Sequence, residues 1–290
     1  MTARGTPDPP APRHDARSSS YLEPQVHIVE LLVHTVALRP YVFCFLAAFL
    51  VIALGEIGPV RTIVWLVLGY GVAFVCEYVS TRNGFPFGLY HYLDAPTRGR
   101  ELWVSNVPFM DSLSFVFLSF VGYATARHML RVPADPPGRI PLTPLLLGLS
   151  TFLMVAIDLV CDPVALRGDR WFLGKLYDYA EPGVFFGVPL TNYLGWAFVG
   201  AVVLGAMGAL ERAGWLRGAP LYQLPRARGV VTAFYAAIVL FNAVIAFKIG
   251  LSPVGWLGLA IVVAVTSALL LPSALRVGGL PAQPGCEEAH

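Results

Sequence analysis

Seven apolar runs follow one another along the chain, near residues 40–56, 62–81, 107–127, 141–161, 187–210, 229–249 and 252–272. A bilayer is spanned by a helix of about 20 mostly apolar residues. In lipid the backbone must satisfy its own hydrogen bonds, so helices are the expected spanning form. The alternating pattern of an outer-membrane barrel is absent. Residues 25–38 (QVHIVELLVHTVAL) predict a shorter helix that lies on the membrane surface or packs as an eighth. The pattern predicts an all-α, polytopic membrane helical bundle of about seven transmembrane helices, forming a single domain over 23–275. A polar, proline-rich tail (1–22), with no apolar core of a secretory signal, is expected to be disordered, and 276–290 to be a flexible tail.

Composition strengthens this picture. Hydrophobic residues make up 56% of the 290, mean hydropathy is +0.65, and only 13% are charged. Soluble domains carry about 25% charged residues. The lipid bilayer is therefore the expected surrounding, in the cell (cytoplasmic) membrane. A net charge of +2 gives no basic footprint for nucleic acid. Cys44, Cys76, Cys161 and Cys286 have no CxxC spacing and read as small hydrophobes rather than disulfides or zinc ligands. Two long aromatic links, 82–106 and 162–186, fall at one end of the bundle. Arginines slightly favour the opposite end, a small lean toward that end being cytoplasmic that does not fix the orientation.

Carboxylates interrupt the apolar runs. AIDLVCDPVA (156–165) carries Asp158 and Asp162 one helical turn apart, with Pro163 expected to end the helix. Glu77 lies equally deep in its own run. Ionisable groups at such depth are costly and point to function. An internal echo links them. VPFMDSLSF (107–115) and VPLTNYLGW (188–196) match at an offset of 81 residues, which pairs Asp111 with Asn192 and Phe115 with Trp196. The same offset pairs Glu77 with Asp158 and, without a gap, Tyr90 with Trp171. A parallel repeat would bring Glu77, Asp111, Asp158 and Asn192 to one interface, where transporter folds often hold their sites. AxxxG at 201–205 and GxxxA at 205–209 suit close helix packing.

The aromatic links supply candidate walls: Phe87, Tyr90, Tyr92, Trp171, Phe186 and Trp196. Aromatic faces stabilise cations by about 0.5–2 kcal/mol each, and an apolar substrate also needs such a lining. His27, Glu30 and His34 can share a helix face, but no metal site is expected there, and no HExxH, GxGxxG, GxSxG or P-loop occurs. No cofactor is expected.

In order along the chain, GFPFGLYHY (84–92), the VP helix start at 107, DLVCDPVA (158–165) and FFGVPLTNYLGW (185–196) resemble the CruF-type carotenoid 1,2-hydratase family, integral-membrane proteins that include bisanhydrobacterioruberin hydratase. The resemblance covers about residues 60–250. It implies addition of water to the 1,2 double bond of an acyclic (ψ) carotenoid end, giving a tertiary alcohol. The partner is then a hydrophobic carotenoid, with other carotenoid-pathway enzymes as neighbours. It carries no catalytic assignment, so the roles come from chemistry. Protonation at C2 leaves a cation at C1, which water captures. A carboxyl in a water-poor site can keep the proton such a step needs. Asp158 or Glu77 is the candidate acid, Asp162 or Asp111 takes the proton of the attacking water, and Asn192 orients that water. Three alternatives stay open: a carotenoid end-group cyclase, a UbiA-like prenyltransferase using the DxxxD at 158–162, and a proton-coupled transporter.

Overall fold

A computed structural model describes residues 28–94, 97 and 99–270. The tails assigned to 1–22 and 276–290, with His27 and Cys286, lie outside the described residues. Among the described residues eight α-helices carry the fold: α1 (Ile28–Leu38), α2 (Pro40–Glu56), α3 (Pro59–Asn83), α4 (Phe109–Leu130), α5 (Pro144–Ala165), α6 (Leu190–Arg212), α7 (Ala227–Lys248) and α8 (Ser252–Leu270). Helices α3 to α8 are each long and apolar enough to cross a membrane. The pair α1 and α2, bent by 95° at Arg39, adds a seventh span if counted as one. The chain is thus an all-α polytopic protein.

Local sequence explains the helix ends. Prolines open α2, α3 and α5 at Pro40, Pro59 and Pro144, where a missing N–H costs nothing. Thr143 caps α5 by accepting from the Leu146 N–H at 3.2 Å. Gly84 closes α3 with φ +83°, a conformation only glycine adopts freely. One expectation fails. Pro163 does not end α5, which runs on to Ala165, with the Leu166 N–H still bonded to the Asp162 carbonyl at 2.8 Å. A proline removes its own donor and crowds the carbonyl four residues before it, but leaves later donors free, and just two further helical residues follow it.

The packing forms a closed ring. α3 packs on α4, α4 on α5, α5 on α6, and α6 back on α3. α4 is the most enclosed of the spans, flanked also by α2 and α7. Outward side chains such as Val67, Val75, Phe152 and Leu194 are exposed and apolar, as a lipid-facing surface requires. Close helix contact does not use the 201–209 motif, because a Cβ added at Gly205 would meet nothing. Its neighbours one face round do the work: a Cβ on Gly200 would sit 3.0 Å from the Met154 sulfur, and one on Gly208 would sit 2.4 Å from Leu142 Cδ2.

The aromatic links contain short ladders that the helical pattern did not predict. β1 (Tyr90–Tyr92) pairs antiparallel with β4 (Tyr177–Tyr179), and β2 (Trp103–Val104) pairs with β3 (Val107–Pro108). In the first ladder Tyr90 faces Tyr179, His91 faces Asp178 and Tyr92 faces Tyr177. This is the register that a local two-fold axis through His91 and Asp178 produces. Phe115 also stacks on Trp196, its partner at the 81-residue offset, with ring centroids 4.3 Å apart. The loop equivalence of Tyr90 with Trp171 is thereby corrected. The counterpart of Tyr90 is Tyr177, so the offset widens from 81 to 87 in the loop and returns to 81 by Val188. The second link inserts six residues before its strand and drops six after it.

Candidate active site

α3, α4, α5 and α6 surround a cavity beneath the β1–β4 ladder, partly open to the surroundings. Its wall is aromatic. Phe87, Phe115 and Trp196 line one part, while Trp171, Tyr41 and Phe241 line another. Tyr90, Tyr92, Tyr177 and Tyr179 line it from the ladder, meeting one another edge-on with centroids 5.2–6.2 Å apart. Edge-to-face contacts of this kind are the favoured aromatic geometry. Burial pushes the hydroxyls of all four tyrosines above their ordinary pKa, and the carboxylates near them push in the same direction. They therefore remain neutral donors.

Into this apolar space project Glu77, Asp111, Asp162 and Asn192. They form two polar groups. In the first, the Tyr92 hydroxyl lies 3.1 Å from Glu77 Oε1 and 2.5 Å from Asp111 Oδ2, and the Ser112 hydroxyl donates to Glu77 Oε2. In the second, Asn192 Nδ2 donates to Asp158 Oδ2 at 2.8 Å and to Asp162 Oδ2 at 2.5 Å. The Tyr179 hydroxyl lies 3.5 Å from Asp162 Oδ2. The local two-fold relates the groups: Glu77 corresponds to Asp158, Asp111 to Asn192, and Tyr92 to Tyr179.

The bridges differ chemically. An amide nitrogen owns two hydrogens and can serve two carboxylates at once. A hydroxyl owns one. For both contacts of Tyr92 to be hydrogen bonds, Glu77 or Asp111 must carry a proton and donate it to the tyrosine oxygen. Hydrogen counting thus asks for a neutral acid beside Tyr92, and the hydrogen bond between the Asp158 and Asp162 carboxyls asks for one in the second group as well.

Most residues singled out from sequence meet at this cavity, but two do not line it. Asp158 has no exposed surface and sits behind Asp162 and Asn192. Phe186 lies outside the lining: its backbone turns at φ +51°, its carbonyl accepts from Arg167 at 2.8 Å, and its ring packs edge-on against Phe185. Conversely, Tyr177, Tyr179 and Ser112 were missed. For the tyrosines a signal existed, since LYHY (89–92) and LYDY (176–179) repeat each other. Ser112 had none, because a serine in an apolar helix commonly bonds its own backbone.

Comparison with known families finds one that covers most of this architecture. A family described as carotenoid biosynthesis protein matches residues 36–273. No curated protein and no solved structure matches the chain.

Proposed function

The chain belongs to the carotenoid biosynthesis protein family, and from that premise we propose that it is a carotenoid 1,2-hydratase, a hydro-lyase acting in the cell membrane without a cofactor. The observation that carries this reading is the convergence of two hydrogen-bonded carboxyl groups, one bridged by Tyr92 and one by Asn192, on one aromatic-walled cavity. Hydration of an alkene needs an acid, a cation-tolerant wall and a base that accepts one water proton.

Glu77 is the acid. It faces the cavity, while Asp158, the other candidate, is enclosed behind its neighbours. Glu77 gives its proton to C2 of the terminal double bond, and the electron pair of that bond forms the new C–H bond. The tertiary cation left at C1 faces the aromatic wall, including Trp196 and the ladder tyrosines. A water held near Asn192 attacks C1 and passes a proton to Asp162, giving the 1-hydroxy end group. Asp158 acts through Asn192, fixing the amide that orients Asp162. One water is consumed and no electrons leave the system, so the reaction is redox-neutral.

Expression in a host that accumulates lycopene or γ-carotene tests this reading. Hydration is expected to add the mass of one water for each ψ end converted. A product of unchanged mass with a ring would assign the cyclase reaction, and unchanged pigment would contradict both.

A further inference from the structure

A hydratase of this kind must recharge its acid after every turnover, yet Glu77 is 2% exposed and lies in an apolar site. A proton must reach it from water. Beside the cavity lies a second hollow, at the surface of the loops. Its lining is more polar than that of the first: Thr81, His91, Asp94, Glu101 and Asn106 contribute to it beside Leu31 and Trp103. His91 and Ser105 in its wall are exposed, so it meets solvent. Among the residues lining the two hollows, Tyr92 alone is common to both.

We propose that Tyr92 is the proton-relay residue of this enzyme, joining the polar hollow to the Glu77–Asp111 acid pair. The proposal rests on the hydration reading and adds the route by which the acid is restored. Tyr92 is suited by position and by valence. Its oxygen touches both carboxyls on the cavity side, and the residue also lines the hollow. A hydroxyl accepts and donates at one atom. After turnover, the Tyr92 O–H bond breaks as its proton passes to the Glu77 carboxylate. The tyrosine oxygen takes a proton from water in the hollow, and its own count is unchanged. Asp162 releases the proton taken from the attacking water to the medium as the cavity empties. Protons balance over the cycle, and no oxidant or reductant is involved. The pseudo-equivalent Tyr179 approaches Asp162 but does not line the hollow, so the relay is confined to one half of the repeat.

The test uses the full chain in lipid nanodiscs. Infrared spectroscopy follows the protonated-carboxyl band after transfer into heavy water. The wild type is expected to exchange rapidly, and Tyr92→Phe, which keeps the ring, to exchange at least about tenfold more slowly, a barrier change of about 1.4 kcal/mol. Thr81→Leu narrows the hollow without touching a carboxyl and is expected to slow exchange in the same direction. Rapid exchange in both variants, or no protonated-carboxyl band in the wild type, would overturn the relay. Turnover gives a second readout. With a ψ-ended carotene, Tyr92→Phe is expected to slow the steady state by a larger factor than the first turnover. Equal slowing of first turnover and steady state would overturn the relay in favour of a structural role. Absence of hydrated product from the wild type would reject the hydratase reading, while the exchange result still decides whether Tyr92 conducts protons.

Discussion

Glu77→Gln is expected to leave an inserted, folded protein that no longer hydrates its carotene. Glutamine keeps the size of the side chain and can still accept from Ser112, but it has no acidic proton to give. General acid–base groups contribute about 10²–10⁴-fold in rate, so the loss should be plain in the pigment profile. Asp158→Asn is expected to lose clearly less, because Asp158 stands behind Asn192 and does not line the cavity. Chromatography of pigments from matched expression levels checks the order. Near-normal hydration by Glu77→Gln with loss in Asp158→Asn would move the acid to Asp158 and reverse the division of roles.

The second large effect is on assembly. Arg39, at the bend between α1 and α2, is 1% exposed and forms a two-pronged pair with Glu101, itself 2% exposed. Nε meets Oε1 at 3.0 Å, Nη2 meets Oε2 at 3.2 Å, and Nη1 donates to the Leu173 carbonyl. One guanidinium thus fastens the bent pair to both aromatic links. Arg39→Met leaves Glu101 buried without its counter-charge, a change that typically costs about 3–5 kcal/mol. A large drop in thermal stability in detergent is expected, with poor pigment conversion following from a loosened loop end. Arg39→Met combined with Glu101→Leu removes both charges and should recover much of the loss. Unchanged melting of the single variant would show that the pair does not hold the loops.

These two cases show what the sequence made legible. Helices α3 to α8 stand out because lipid imposes length and apolarity together, and neither needs knowledge of a partner. Glu77, Asp111, Asp158 and Asp162 stand out because charge in an apolar run is conspicuous. The Arg39–Glu101 pair does not, since its members are 62 residues apart and each alone resembles an interfacial charge. The 95° bend at Arg39 is hidden for the same reason: contacts made after folding fix it. The tyrosine ladder was obscured by a compensating insertion and deletion. An ungapped offset of 81 carries Tyr90 onto Trp171 and passes over LYDY. Nor does sequence distinguish Asp158 from Asp162 as a cavity residue. They share a helix face, and Asn192 of α6 stands against both.

The central claim is that a carboxyl of this protein protonates a carotenoid end and that water supplies the new oxygen. Purified protein in nanodiscs, given lycopene and heavy-oxygen water with no nucleotide, flavin or metal added, tests it directly by mass spectrometry. The account predicts a 1-hydroxy product whose oxygen carries the heavy label, formed by the wild type and lost in Glu77→Gln. A hydroxyl without the label, or a product of unchanged mass, would contradict it.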